Sequence, residues 1–170
     1  MLSTIAEMDS LVGTTLQFAR DDSASEPRKQ IDLAAVVQNV VDEMADAGLP
    51  VCMQPEAPIF YRCQPAALKR AVRNLLDNAV KYGKAGSAKI RMVSGSVEID
   101  IDDDGPGIPE AELARVLEPF YRLEESRSRE TGGVGLGLAI AHSIIQAHGG
   151  RLTLTNRPAG GLRASIVLPP

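Results

Sequence analysis

The sequence has no tryptophan, and only 4% of its 170 residues are aromatic, so its core has to be built from aliphatic side chains. No apolar run is long enough to span a bilayer, and no signal peptide is visible. The only cysteines, Cys52 and Cys63, do not form a metal-binding motif. We interpret both as reduced, buried or half-buried thiols, which favours a cytosolic compartment.

The charge balance excludes one further class of protein. A formal net charge of −4 argues against a general nucleic-acid binder, because such proteins neutralise phosphates with an excess of Lys and Arg. Apolar residues make up 44% of the chain, which is sufficient for a core. The length predicts one domain with a small appendage.

A glycine-rich segment at residues 132–146 runs directly into an apolar helix. Gly133, Gly135 and Gly137 allow backbone N–H groups to approach a ligand where a Cβ would clash. The helix that follows offers unpaired N–H groups and the positive end of its dipole to an anion. The segment therefore predicts a phosphate-binding loop. It is not a Walker loop, because no Gly-Lys-Ser/Thr follows, and Leu138 stands where a dinucleotide fingerprint has its third glycine.

A helix predicted over residues 64–83 carries two asparagines four residues apart. Asn74 and Asn78 share one face of this helix, and Lys81 lies near that face. An isolated helical Asn is most often a solvated polar residue. Here the flanking positions are apolar, so the pair is expected to line a cavity. An amide oxygen is a suitable ligand for Mg²⁺.

An acidic strand precedes a second glycine turn. In the strand predicted over residues 97–103, the alternation of side chains directs Asp103 to the apolar side, where a carboxylate needs a hydrogen-bond donor. Gly105 and Gly107 then turn the chain tightly. A carboxylate over an apolar pocket suits an exocyclic amine such as that of adenine, although a lone Asp-Xaa-Gly is more often only a β-turn.

The remaining elements are predicted from hydrophobic periodicity. The predicted elements are an amphipathic helix over 1–20, a polar linker over 21–30, a helix from 31 capped by Asp32 and stopped by Gly48, a strand pair at 51–54 and 59–62, a strand at 89–93, a possible short helix at 109–117, and a closing hairpin at 151–155 and 162–168.

Four motifs now stand in order along the chain. They are Asn74-Leu75-Leu76-Asp77-Asn78 with Lys81-Tyr82-Gly83, then Asp103-Asp104-Gly105-Pro106-Gly107-Ile108, then Phe120-Tyr121-Arg122, then Gly133-Val134-Gly135-Leu136-Gly137-Leu138. Over roughly residues 30–168 the sequence resembles the catalytic ATP-binding domain of a bacterial sensor histidine kinase. The resemblance implies a Bergerat-type fold. This is an α+β two-layer sandwich in which three helices cover one face of a mixed sheet of about five strands, with a flexible ATP lid.

The resemblance also implies roles for individual residues. Asp103 would bind the adenine amine, and Asn78 would hold Mg²⁺ with the help of Asn74. The implied catalytic residues are Asn74, Asn78 and Lys81. The implied nucleotide-binding residues are Asn78, Lys81, Tyr82, Asp103, Gly105, Gly107, Ile108, Phe120, Arg122, Arg129, Gly133, Val134, Gly135, Leu136, Gly137 and Leu138.

The segment from 109 to 132 would form the lid that orders over nucleotide. Phe120 would anchor it. Arg122, Arg127 and Arg129 are the candidates for phosphate contacts, and the sequence does not rank them.

The resemblance divides the chain into three parts. Residues 1–20 would be the end of a dimerisation and phosphoacceptor hairpin, residues 21–30 a linker, and residues 31–170 the catalytic domain. No acceptor histidine lies in residues 1–31, and a structural role is expected for His142 and His148. We therefore expect this chain to bind ATP and Mg²⁺ without phosphorylating itself. The implied partners are the missing hairpin and a response-regulator receiver domain, within a membrane-attached, homodimeric parent kinase whose catalytic domain is cytoplasmic.

Two alternatives stay open from the sequence. One is an anti-sigma-type serine kinase of the same superfamily, and the other is a non-catalytic nucleotide-sensing module. The related ATPases place a Glu that activates water where this chain has Asn74. An amide cannot act as a general base, so Asn74 favours a kinase over a hydrolase.

Overall fold

The computed structural model describes residues 26–123 and 135–170. Its strands are β1 (Lys29–Asp32), β2 (Val51–Met53), β3 (Phe60–Cys63), β4 (Gly86–Val93), β5 (Ser96–Asp103), β6 (Arg151–Asn156) and β7 (Leu162–Leu168). Its α-helices are α1 (Leu33–Asp46), α2 (Pro65–Gly83) and α3 (Gly137–Ala147). Two short 3₁₀ turns at Glu110–Glu112 and Arg115–Leu117 replace the short helix expected there. Among the described residues, no helix is long and apolar enough to cross a membrane.

The main sheet has five strands in the order β2-β4-β5-β7-β6. β2 runs parallel to β4, and the other neighbours are antiparallel, so the mixed five-stranded sheet is confirmed. The three α-helices pack on the sheet through aliphatic side chains. Fully buried examples from both layers are Leu76, Ile90, Ile99, Ile145 and Ile166.

The two strands predicted at 51–54 and 59–62 both form, as β2 and β3, but they do not pair with each other. β2 joins the edge of the main sheet, whereas β3 pairs with β1 in a separate two-stranded ribbon. Pro55 and Pro58 lie between them, and proline cannot donate to a sheet ladder, so the chain crosses from one sheet to the other here. β1 itself begins at Lys29, earlier than the domain start predicted at residue 31.

The ends of the first two helices follow the predicted capping chemistry. The Asp32 carboxylate accepts hydrogen bonds from the N–H groups of Ala34 and Ala35, which caps α1 as expected. Gly48 follows α1 with a φ of +82°. α2 ends at Gly83 as predicted, and the residue that follows it, Lys84, is left-handed with a φ of +66°. Glycine at position 83 also has a second role, a close contact in the candidate site described below.

The two cysteines differ from each other. Cys63 is fully buried, and burial raises the pKa of its thiol to about 11. Cys52 is exposed on the edge strand β2, so the expectation of a buried or half-buried thiol is wrong for this residue.

Candidate nucleotide site

The carboxylate of Asp103 ends β5 on the helix-covered side of the sheet, as the strand parity predicts. Asp103 is 9% exposed, and its Oδ1 accepts hydrogen bonds from the N–H groups of Gly105 (2.8 Å) and Leu162 (3.0 Å). These two bonds compensate for its burial. Its Oδ2 receives no hydrogen bond from the described residues, so one acceptor oxygen is left for a ligand.

Gly83, the last residue of α2, makes room for this carboxylate. A Cβ at position 83 would lie 2.3 Å from the Cβ of Asp103, closer than real Cβ contacts come. The end of α2 and the end of β5 therefore touch through a glycine. No local pattern in the sequence reveals this contact.

Asn74 and Asn78 lie on the face of α2 that meets the start of α3. A Cβ built on Gly137 would lie 3.9 Å from both the Cβ of Asn74 and the Nδ2 of Asn78. The asparagine pair and the glycine-rich loop are thus brought together, as the four-motif resemblance implies. The buried Nδ2 of Asn74 has no hydrogen-bond partner among the described residues. An orphaned buried donor is costly, and it marks a place where a ligand or water completes the site.

Lys81 and Arg122 form a positively charged pair. The pKa of Lys81 is lowered, first by burial and then by the charge of Arg122, while Asp77 partly opposes the shift. The Lys81 ammonium also lies 5.5 Å from the centre of the Tyr82 ring, which is 53% exposed. Two cations that disfavour each other's charge are suited to an anion between them. Of the three lid arginines considered, Arg122 is the one that the structure describes.

Phe120 and Tyr121 contact the rest of the domain in different ways. Phe120 is 51% exposed with a φ of +65°, and its backbone N–H donates to the carbonyl of Gly135 (3.1 Å). Tyr121 packs against the core, hydrogen-bonds through its hydroxyl to Glu112, and lies beneath the guanidinium of Arg115 at 4.5 Å. Phe120 therefore contacts the glycine-rich segment through its backbone, and its role as the anchor of the lid stays a prediction.

The described part of the second glycine motif begins at Gly135. Gly135 has a φ of +75°, and a Cβ there would lie 3.0 Å from the carbonyl oxygen of Tyr121. Leu136 is buried at the start of α3, and Leu138 is partly buried against the core. Arg127, Arg129, Gly133 and Val134 lie outside the described residues.

The predicted residues Gly107 and Ile108 meet a partner that the sequence analysis missed. The side-chain amide of Asn156 accepts from the N–H of Ile108 (2.9 Å) and donates to its carbonyl (2.7 Å). Next to it, Arg157 donates to the carbonyl of Asp103 (2.5 Å). The only sequence signal was the Gly160-Gly161 turn that brings this hairpin back beside residue 103.

The length of the site can be estimated along helix α2. Asn74 and Gly83 are nine residues apart, which corresponds to about 14 Å at 1.5 Å per residue. The orphaned amide therefore lies at one end and the Asp103 carboxylate at the other, with Lys81 nearer the carboxylate. An extended ligand that carries a hydrogen-bond donor at one end and negative charge along the rest matches this arrangement.

Comparison with known proteins agrees with this geometry. Residues 63–170 match the family model described as histidine kinase-, DNA gyrase B- and HSP90-like ATPase. The chain is 40% identical over 164 residues to the sensor histidine kinase GtrS of Pseudomonas aeruginosa, covering 96% of the chain and 33% of GtrS. It therefore spans about a third of the length of that relative.

Two solved structures share the fold. The ATP-binding domain of PrrB from Mycobacterium tuberculosis is 32% identical with a TM-score of 0.69, covering 84% of this chain and 96% of that one. The mycobacterial sensor histidine kinase MprB is 30% identical with a TM-score of 0.70, covering 84% and 97%. Together with the family match, these similarities show that the chain belongs to the histidine kinase-, DNA gyrase B- and HSP90-like ATPase family, as an ATP-binding catalytic domain of the sensor histidine kinase type.

Proposed function

We propose that the chain binds ATP with Mg²⁺ in one direction along α2, with adenine at Asp103 and the phosphates towards Lys81, Arg122 and the start of α3. The observation that carries this proposal is the two-ended site. A buried carboxylate with a free oxygen lies at one end of α2, and a buried amide without a partner among the described residues lies about 14 Å away along the helix.

The adenine end follows from simple complementarity. The 6-amino group of adenine is a donor, and the free Oδ2 of Asp103 is an acceptor. The hydrogen bonds to Oδ1 keep the carboxylate fixed, so little conformational entropy is lost when the base binds. Ile108, partly buried against the core, offers an apolar surface beside this position.

The described residues fit a magnesium ion that is held mainly by phosphate. They contain no group of three or more His, Cys, Asp and Glu that could hold a metal. Mg²⁺ in phosphate-binding sites often takes one or two protein oxygens and fills its octahedron with phosphate oxygens and water. We assign the Asn78 amide oxygen as the protein ligand, with Asn74 beside it. When bound, the ion would neutralise phosphate charge.

The chemistry that this chain supports is positioning and charge neutralisation. Phosphoryl transfer needs little covalent participation by the protein. Lys81 and Arg122 supply positive charge, and the N–H groups at the start of α3 add the helix dipole. The terminal phosphoryl group would pass to a histidine imidazole of a separate phosphoacceptor hairpin, leaving ADP on this chain.

The wider context belongs to the same proposal. The relatives are named sensor histidine kinases, which supports a parent protein that pairs with a response-regulator receiver domain. We propose that the parent is a membrane-attached homodimer with this domain on its cytoplasmic side. We also propose that residues 1–20 belong to the hairpin, although they lie outside the described residues.

The magnesium assignment is tested by titration calorimetry of ATP with and without Mg²⁺. For the unchanged protein, Mg²⁺ is expected to strengthen ATP binding. In Asn78→Ala, the increase in ATP affinity caused by Mg²⁺ is expected to be at least about threefold smaller. An interaction with a charged group contributes about 1.5–3 kcal/mol, and water replaces part of it. Asn39→Ala, a helical asparagine on α1, is the matched control. An equal Mg²⁺ effect in Asn78→Ala would contradict the assignment.

A second measurement tests the need for a separate acceptor. Incubation with ATP labelled at the terminal phosphate is expected to give no stable label on this chain. A labelled His142 or His148 would overturn that expectation. His148 is 3% exposed, and its two ring nitrogens contact the Ile144 carbonyl and the Gln64 N–H, so it is poorly placed to accept phosphate.

A further inference from the structure

The loop that carries the adenine end of the site is held from outside by the hairpin between β6 and β7. This loop runs from residue 103 to 108 and contains two glycines and a proline. Its internal side-chain hydrogen bond joins Asp103 to Gly105. Among the described residues, the other side-chain bonds to its backbone come from Asn156 and Arg157, about fifty residues later in the chain.

We propose that Asn156 and Arg157 are positioning residues for nucleobase recognition, because they fix the backbone that aims Asp103 at the base. This inference rests on the proposed function. Neither side chain is assigned to touch the nucleotide, so both would act through the 103–108 loop.

The side-chain amide of Asn156 hydrogen-bonds to both the N–H and the carbonyl of Ile108, as the backbone of a neighbouring β-strand would. Its Oδ1 accepts from the Ile108 N–H (2.9 Å), and its Nδ2 donates to the Ile108 carbonyl (2.7 Å). An amide is a short side chain that can accept and donate at the same time, whereas Asp only accepts. The pair fixes the end of the loop in position and orientation.

Gly107 is matched to this contact. Its φ is +75°, and a Cβ built there would lie 2.5 Å from the Oδ1 of Asn156. The glycine therefore leaves the space that the asparagine amide occupies. The family-like glycine motif and Asn156 form one unit, although the sequence places them far apart.

Arg157 holds the other end of the loop. Its Nη1 donates to the carbonyl of Asp103 (2.5 Å) and contacts the carboxylate of Asp104 (3.0 Å). Asp104 is 78% exposed, so that ion pair contributes little. The carbonyl bond is supported by a second ion pair, in which the Arg157 Nε lies 3.6 Å from the Oδ2 of the less exposed Asp102. Gly161 brings the hairpin close enough, since a Cβ there would lie 1.9 Å from the Asp103 carbonyl oxygen.

The expected consequence is specific to the base. A loosened loop lets the Asp103 carboxylate move away from the adenine amino group, from which it is proposed to accept a hydrogen bond. Binding of adenine nucleotides then weakens, while the phosphate contacts at Lys81, Arg122 and α3 stay in place. Guanine presents a carbonyl oxygen where adenine has its amino group, so the carboxylate that favours ATP disfavours GTP. Loss of positioning therefore reduces the preference for ATP over GTP.

The test compares the dissociation constants of ATP, GTP and inorganic tripolyphosphate by calorimetry for the unchanged chain, Asn156→Ala, Arg157→Met and Arg157→Lys. Thr155→Ala, an exposed neighbour on β6, is the matched control. Urea unfolding of each variant establishes that it is folded. Asn156→Ala is expected to bind ATP about tenfold more weakly, since two hydrogen bonds are lost, and its ATP preference should fall by a similar factor. Tripolyphosphate affinity should not change.

Arg157→Met is expected to shift ATP binding in the same direction by about threefold, and Arg157→Lys should recover part of this loss. Equal losses for ATP, GTP and tripolyphosphate would overturn the inference, because they indicate a purely structural role. So would an unchanged ATP affinity in folded Asn156→Ala and Arg157→Met. If the chain without any substitution does not bind ATP, the proposed function itself is contradicted. That outcome is distinguishable from the two outcomes above, which concern the variants.

Discussion

At the scale of single residues, Lys81 is the group whose protonation we expect to affect ATP binding. Burial and the nearby Arg122 lower its pKa, so its positive charge is less favoured than that of a free lysine. A bound phosphate would favour that charge and raise the pKa again. With the phosphates placed as proposed, ATP binding would therefore be linked to proton uptake by Lys81 in alkaline solution.

This linkage predicts that ATP affinity falls as pH rises through the lowered pKa of Lys81, below the ordinary lysine value of about 10.4. Lys81→Arg should bind ATP with a flatter pH dependence, because a guanidinium stays charged. Calorimetry at several pH values measures both. Lys69→Arg, on the exposed side of α2, serves as the control. An identical slope for Lys81→Arg and the unchanged chain would contradict the prediction.

Gly83 is the second residue with a sharp consequence. Ala is the better helix former by about 1 kcal/mol, so Gly83→Ala should stabilise an ordinary helix. Here the new Cβ would lie 2.3 Å from that of Asp103. We expect a net loss of about 1–3 kcal/mol in the free energy of unfolding, as for other overpacked sites, and loss of ATP binding.

Gly160→Ala is the control for this substitution. Its φ is +97°, but a Cβ there would meet nothing within 4 Å. It should lower the free energy of unfolding through backbone strain alone and leave ATP affinity intact. Urea unfolding and ATP titration of both variants separate the two effects. Unchanged ATP binding in Gly83→Ala would show that the Asp103 carboxylate does not need this position.

At the scale of elements, the N-terminal segment of the described chain is tied to two helices of the site. The Glu26 carboxylate accepts from the N–H groups of Ala66 (3.1 Å) and Ala67 (3.2 Å) at the start of α2. Arg28 donates to the carbonyl of Ala147 (2.9 Å) at the end of α3. Each charge has the sign that its helix dipole favours.

This capping predicts a measurable contribution to stability. Glu26→Ala should lower the free energy of unfolding by about 1 kcal/mol, the typical cost of losing an N-terminal cap. Glu26→Gln keeps an acceptor and should lose less. Urea unfolding measures both, and Glu56→Ala, on an exposed loop, is the control. No loss in Glu26→Ala would show that residues 26–28 do not stabilise α2.

Element types were more predictable than their pairing. The helix starts at Asp32 and Pro65 follow local chemistry, because caps and first-turn prolines act within a few residues. The separation of β2 from β3 depends on pairing with β4 and β1, and local patterns carry no such information. Strand register becomes visible only when the whole sheet is assembled.

The face of the sheet opposite the three described helices shows a similar limit. The same alternation that directs Asp103 to the helix-covered side directs Asp100 to the other side of the sheet, yet Asp100 is only 7% exposed. Arg91 and Ser165 hydrogen-bond to it from the two neighbouring strands. Burial raises the pKa of Asp100, but those hydrogen bonds and the nearby arginine charges outweigh it, so the pKa is lowered overall. Alternation gives the side of the sheet, but not what covers it.

At the scale of the whole molecule, the site is assembled from parts that are remote in the sequence. Its motif residues were predictable, because glycines, paired asparagines and an inward carboxylate are visible locally. The residues that hold these motif residues in place were not predictable. Asn156 and Leu162 act on residues that lie 48 and 59 positions earlier in the chain, and neither belongs to the four motifs. The family gives the centre of the site, and the structure adds the elements that hold it in place.

The most direct test of the central claim is ATP titration of Asp103→Asn beside Asp104→Asn. The amide oxygen introduced by Asp103→Asn can still accept from Gly105 and Leu162, so the loop should stay in place. The account predicts at least about tenfold weaker ATP binding for Asp103→Asn, because a charge-assisted hydrogen bond to adenine is lost. The exposed Asp104→Asn should bind ATP as the unchanged chain does. Equal ATP affinity in folded Asp103→Asn would contradict the assignment of the base to Asp103.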